Sequence, residues 1–209
     1  TLGVLFVNVS TGASDLVMDP VNPRILYAGT WQIEIKTWGR TSGGAGSGVW
    51  KSTDAGATWK RPTGPGLPRN HSGKVGLAMS KANPNRIYAL IETAEGVEQP
   101  DKRPTDEGRL FRSDDGGENW IIASRDREVA GRTHYYNRMA VTPDDADEAY
   151  FLTASWAKTV DGGRTITVAP FTESPGGDHH DIWIDPTDAN RFIVGSDIGV
   201  SVSHNRGKT

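Results

Sequence analysis

Ser52-Thr53-Asp54-Ala55-Gly56-Ala57-Thr58-Trp59 reads Ser-x-Asp-x-Gly-x-Thr-Trp, and the chain writes it again. Ser113-Asp114-Asp115-Gly116-Gly117-Glu118-Asn119-Trp120 is a second copy. Thr159-Val160-Asp161-Gly162-Gly163-Arg164-Thr165-Ile166 is a third, with Ile in the Trp place. Ser203-His204-Asn205-Arg206-Gly207-Lys208-Thr209 is a fourth, with Asn for Asp. The anchor positions 54, 115, 161 and 205 stand 61, 46 and 44 residues apart. Self-similarity at such a period belongs to propellers and repeat arrays. The motif has a mechanical reading. The Asp oxygens accept backbone N–H groups further along a tight turn, Gly allows φ > 0, and Trp covers the sheet edge. These aspartates are therefore expected to hold the fold rather than to do chemistry.

Composition agrees. The 209 residues suffice for one substantial core, and 35% hydrophobic residues with 25 Gly and 12 Pro suit many short strands joined by tight turns. A net charge of −3 gives no basic surface for nucleic acid. With no cysteine, disulfides and Cys-ligated metals are excluded. No apolar run reaches the length of a membrane span. Asn8-Val9-Ser10 and Asn70-His71-Ser72 match the glycosylation sequon.

Working outward from the boxes, strands joined by a turn precede each, three of them before the first box and three before the second. Ser14–Met18, the turn around Asn22-Pro23, Ile25–Trp31, a Gly/Ser-rich loop over 36–47, Gly48–Lys51 and Thr58–Lys60 make one four-stranded blade. Lys74–Ser80, Arg86–Glu92 and Leu110–Arg112 repeat the plan around a charged loop over 93–108. Asn137–Thr142 with Ala149–Thr153, and Asp181–Asp185 with Arg191–Gly195, repeat it twice more. The predicted fold is an all-β propeller of about four units, 12–62, 73–123, 135–169 and 178–209. The apolar run 2–8 is left over. Two arrangements follow. Either 2–8 pairs with Gly199–Val202 as the outer strand of the last blade and closes the molecule, or the chain is an arc of a larger propeller. In the second case, open sheet edges would invite self-association.

The boxes resemble the Asp-box (bacterial neuraminidase) repeats of sialidases, xyloglucanases and sortilin-type receptors. The segments DPVNPRILYAGTW, GVWKSTDAGATW, LFRSDDGGENW and DHHDIWIDPTDANRFIVGSDIGV, 19–31, 48–59, 110–120 and 178–200, carry a resemblance over nearly the whole chain to sortilin-like and glycosyl-hydrolase repeat proteins of bacteria. The resemblance implies a β-propeller that is secreted or periplasmic. Its ligand is then a carbohydrate, or a peptide or protein. Gly195-Ser196-Asp197-Ile198-Gly199 is similar to the xyloglucanase stretch that carries a catalytic Asp, with Val200 where a second Gly stands there. No motif surrounds any arginine here as in the sialidase triad.

Aligning the units locates a mouth. Asp15, Gly76, Arg138 and Asp181 fall at one equivalent position near the start of the innermost strand, and Trp31, Glu92, Ala154 and Asp197 at the end of the second strand. Both sets belong to the face opposite the boxes. Asp197, Asp181 and Asp15 are the candidate catalytic carboxylates, Asp197 as base by resemblance and one of the others as acid. Trp31, Glu92, Arg138 and Tyr136 are candidate substrate-binding residues. Asp178, His179 and His180 can hold a divalent ion if they converge. No cofactor beyond that ion is expected. Trp50, Trp59, Trp120 and Trp183 are assigned to the core or to box plugs, and Trp31, Trp38 and Trp156 to the loop face. The functional readings stay two: a glycoside hydrolase, or a non-catalytic interaction module.

Overall fold

The computed structural model describes residues 5–68, 72–93, 108–169 and 176–208. The described chain is almost wholly antiparallel β, in four sheets around a central axis. The first contains β1 (Thr11–Met18), β2 (Leu26–Lys36), β3 (Gly39–Ser42) and β4 (Gly48–Ser52). The second contains β5 (Ser72–Ser80), β6 (Asn83–Thr93), β7 (Gly108–Ser113) and β8 (Ile121–Ser124). A four-residue helix α1 (Arg127–Ala130) leads to the third: β9 (Arg138–Val141), β10 (Ala149–Leu152), β11 (Trp156–Thr159) and β12 (Thr167–Val168). The fourth is β13 (His179–Ile184), β14 (Phe192–Ser196) and β15 (Gly199–Ser203). The molecule is a four-blade β-propeller.

The boxes are one structure built four times. Ser52 Oγ accepts the N–H of Gly56, and Asp54 accepts the N–H and hydroxyl of Thr58. Ser113 with Asp115, and Thr159 with Asp161, repeat the pattern; Ser203 with Asn205 keeps its backbone part. Each box needs two successive left-handed residues. They are Ala55 and Gly56 (φ 61° and 84°), Gly116 and Gly117 (71° and 87°), Gly162 and Gly163 (74° and 89°), and Arg206 and Gly207 (59° and 70°). The first place tolerates Ala or Arg. The second is always Gly, and in three of the four boxes φ > 0 there coincides with close packing: a Cβ on Gly117 would meet the Tyr27 ring at 3.0 Å. Trp59 and Trp120 then donate their indole N–H back to Gly56 and Gly117 carbonyls at 3.0 and 2.9 Å.

These hydrogen bonds hold the carboxyls of Asp54, Asp115 and Asp161 down at about 2, against an ordinary 3.8. Thr58 and Thr165, or Asn119, supply the largest effects. A carboxyl depressed in the folded state contributes stability above its unfolded pKa and loses it as pH falls toward the folded value. Thermal unfolding followed between pH 5 and 2 (roughly the range over which such groups titrate) should therefore show a fall in Tm confined to the acid side. Replacing Asp54, Asp115 and Asp161 together by Asn should flatten that fall.

Blades pack face to face. Tyr27 and Val49 of the first meet Val75, Leu77, Ile87, Ala89 and Phe111 of the second. Ala78, Tyr88, Leu90 and Leu110 meet Met139, Val141 and Phe151 of the third. Tyr150, Leu152 and Trp156 meet Phe192 and Val194 of the fourth.

Several expectations change. The loop at 36–47 is partly a hairpin, because β2 runs on to pair Ile33–Lys36 with β3, with Trp38 exposed at its tip. The outer strand of the first blade, expected at 58–60, is reduced to one bridge between Lys51 and Lys60. Leu5–Asn8 are not a strand; Asn8 instead accepts from Ser10 and Thr11 in a turn. Among the described residues β15 pairs only with β14. The closing strand is therefore not formed by 5–8, and Gly3 and Val4 lie outside the described residues, as do Asn70, His71 and the charged loop 94–107.

Candidate functional site

The mouth is built by strand register. Asp15 lies opposite Gly29, Gly76 opposite Leu90, Arg138 opposite Leu152 and Asp181 opposite Gly195. The four positions are thus equivalent in the structure as in the repeat alignment. A channel of about 360 Å³ runs between the four inner strands and is lined by Asp15, Arg138 and Asp181 among others. β1, β5 and β13 each carry a register shift near this end, at Ala13/Asp15, Ser72/Val75 and His179/Asp181. Such bulges re-aim side chains at the rim of a sheet.

Asp15 is tied down. Its Oδ1 accepts from the Leu16 N–H and, at 3.1 Å, from Arg138; its Oδ2 accepts from Leu77 N–H at 2.8 Å. Arg138 itself is half exposed. Among the described residues Asp181 accepts from the next residue's N–H, and it faces solvent. Asp197 Oδ1 meets His180 Nε2 at 2.7 Å, both side chains being open to solvent.

The Asp178-His179-His180 run is taken apart by the backbone. Asp178 adopts φ 53°, a left-handed conformation that Asp tolerates, and its carboxylate accepts the Tyr136 hydroxyl. His179 turns into the core, with Nδ1 3.0 Å from the Thr153 carbonyl and its ring against Trp156. His180, the bulged residue, goes to Asp197. Three successive side chains thus take three directions. Among the described residues no group of three or more His, Asp or Glu is placed to hold a metal ion.

A continuous strip of contacts crosses the mouth from the first blade to the fourth. The Trp31 indole donates to Ser42 Oγ at 2.8 Å, Ser42 donates to Glu92 at 2.6 Å, and Glu92 accepts the Lys74 N–H at 2.9 Å. The Lys74 ammonium lies 5.3 Å over the Trp31 ring and donates to the Tyr135 carbonyl. Burial first, then the Arg138 charge, hold that ammonium below the ordinary lysine value. The Tyr135 ring stands 6.0 Å from His180 and edge-on to Tyr136 at 4.8 Å, and Arg132 lies over both tyrosines. Desolvation, then the bond to Asp178, push the Tyr136 hydroxyl up to about 12. Tyr136 is buried, so it supports the strip while exposed Tyr135 presents a ring.

Of the residues expected to bind substrate, Trp31, Glu92 and Tyr136 belong to this strip, Glu92 and Tyr136 as its buried supports. Lys74, Ser42 and Arg132 were not anticipated. Lys74 stands two residues before the aligned Gly76, so an extension of the alignment by one step would have found it. Trp156, expected at the loop face, is core, and Trp183, expected in the core, is half exposed.

No family model and no curated protein matches this chain. Its fold does match solved structures. An ancestral GH74 enzyme superposes with a TM-score of 0.61 at 18% identity, covering 96% of this chain and 24% of that one. The GH74 xyloglucanase from Xanthomonas campestris gives 0.58 at 18% identity, over 93% and 28%. A protein of unknown function from Dyadobacter fermentans gives 0.52 at 21% identity, over 93% and 60%. This chain therefore spans about a quarter of the length of the two GH74 enzymes, and what it shares with all three is the propeller fold.

Proposed function

We propose that this chain is a glycan-recognising propeller module whose ligand lies along the mouth strip from Trp31 to Asp197. The observation that carries this reading is the strip itself. It alternates aromatic rings (Trp31, Tyr135) with an ammonium, an imidazole and a carboxylate (Lys74, His180, Asp197) over a distance that crosses four blades. Sugars offer C–H faces to aromatic rings and hydroxyls to carboxylates, and sites with a few converging polar groups and an aromatic wall suit them. That GH74 enzymes share the fold is consistent with it.

Hydrolysis would fall to Asp181 and Asp197. Asp181 stands opposite Gly195, and Asp197 follows two residues later in the turn after β14, beyond the bulge at His180. Asp15 is the weaker candidate, because Arg138 and two backbone N–H groups occupy it.

A glycan array followed by calorimetry on the best ligand tests binding. Tyr135→Ala and Asp197→Ala should each weaken it about tenfold or more, the usual cost of losing a ring contact or a charged hydrogen bond. Unchanged affinity in both would move the ligand elsewhere. Hydrolysis of the same ligand, with the product anomer read by NMR, should be lost in Asp197→Asn. The second reading, a non-catalytic protein-binding module, is favoured by the occupation of Asp15 and by the pairing of Asp197 with His180. A glycan panel neither bound nor cleaved would decide for it.

A further inference from the structure

The repeat register assigns every blade two faces, one for the blade before it and one for the blade after. In the second and third blades both faces are buried. The first and fourth blades each keep one face open. On the fourth, Trp183, Ile193 and Val202 stand side by side across β13, β14 and β15, with Val200 on the same face. They are 52%, 41%, 56% and 72% exposed. On the first, Leu16 and Met18 of β1 are 58% and 54% exposed, on the face that holds Trp50. Soluble proteins rarely leave apolar patches of this extent uncovered.

The two faces are complementary in kind. The open face of the fourth blade is the same side that, in the first three blades, receives the following blade. The open face of the first blade is the side that, in the other three, receives the preceding one. Position 193 sharpens this. Its equivalents are Tyr27, Tyr88 and Tyr150, which donate their hydroxyls to carbonyls of the following blade. Ile193 has no hydroxyl to satisfy, so the open face can be covered by apolar contact alone. No described segment of the chain does so: Leu5–Asn8 end in a turn at the first blade.

We infer that the two open faces are the halves of one blade–blade interface, and that a second copy of this chain fills each. The fourth blade of one copy packs on the first blade of the next, continuing the interface already made three times within the chain. Unlike faces meeting make a heterologous contact, which either closes a ring of copies or extends it.

The test is complementation, read by sedimentation velocity from micromolar to hundreds of micromolar. The wild-type chain should associate with rising concentration. Trp183→Lys, which spoils only the fourth-blade face, and Leu16→Lys, which spoils only the first-blade face, should each remain monomeric. An equimolar mixture of the two should form a heterodimer through the one intact pair of faces. A wild-type chain that stays monomeric over the range overturns the inference. So does either variant self-associating like the wild type, or a mixture that remains monomeric. Both positions are solvent-exposed in the single chain, so unchanged circular dichroism is expected. Val202→Lys with Met18→Lys forms a second pair should one of the first not fold.

Discussion

Gly76→Ala should destabilise the protein by about 3 kcal/mol, at the upper end of what overpacking usually costs. Gly76 lies in the middle of the innermost strand of the second blade, opposite Leu90. A Cβ there would stand 2.0 Å from the Asn137 carbonyl oxygen and 3.1 Å from its carbon. The obstacle is backbone at the start of the third blade and cannot rotate aside, so the two blades must separate or β5 must bend. Because the side chains of these blades form one core cluster, separation would loosen packing from Tyr88 to Phe151. Gly195→Ala is the control. It also sits within a propeller strand, but the nearest atom to its Cβ is 4.0 Å away. That change should be neutral or slightly stabilising, since Ala suits a strand better than Gly. Chemical denaturation of the two variants side by side makes the measurement. A Gly76→Ala midpoint within about 0.5 kcal/mol of wild type, the scatter of ordinary surface substitutions, would show that the blades are not held at this approach.

That same glycine shows what periodicity in a sequence leaves open. The repeat alignment placed Gly76 level with Asp15, Arg138 and Asp181, and the strand register agrees. It could not say that Arg138 and Asp181 are open to solvent while Asp15 and Gly76 touch the neighbouring blade. Periodicity reports which residues are equivalent. It does not report how closely two sheets approach. The box turns were legible because the hydrogen bonds that their Ser, Thr and Asp side chains make are local, reaching no further than four residues. The site was legible only in part for the opposite reason. Asp178, His179 and His180 are adjacent in sequence, yet a left-handed Asp178 and a bulge at His180 send them to Tyr136, Thr153 and Asp197. Those partners lie between 17 and 42 residues away, outside any local pattern. The missing outer strand of the first blade has a similar origin. Thr58–Lys60 have strand-like neighbours, but β4 offers them only the single Lys51–Lys60 bridge.

Tyr88→Ala is expected to cost about 4 kcal/mol, within the range for removing a large buried aromatic side chain, while Tyr88→Phe should cost only about 1 kcal/mol. Tyr88 is fully buried between the second and third blades, and its hydroxyl donates to the Ala146 carbonyl at 2.7 Å. Burial pushes that hydroxyl up to about 12, so it remains a donor at any pH at which the protein is handled. The position recurs. Tyr27 donates to Gly116 of the next blade's box at 2.7 Å, and Tyr150 reaches the Arg206 carbonyl of the fourth blade's box at 3.2 Å. Each tyrosine therefore fills the gap between two sheets with its ring and fixes their offset with its hydroxyl. The Ala variant loses both contributions and leaves a cavity; the Phe variant keeps the ring and leaves only one carbonyl less satisfied. Guanidinium titrations of the Phe and Ala variants at positions 27, 88 and 150 would separate the two effects. A large loss in every Ala variant with a small, similar loss in every Phe variant supports ring packing as what binds blade to blade. Phe variants as unstable as the Ala variants would instead assign that role to the hydroxyl. It would also leave the fourth blade, where Ile193 stands in the equivalent place, without the element that holds the other three.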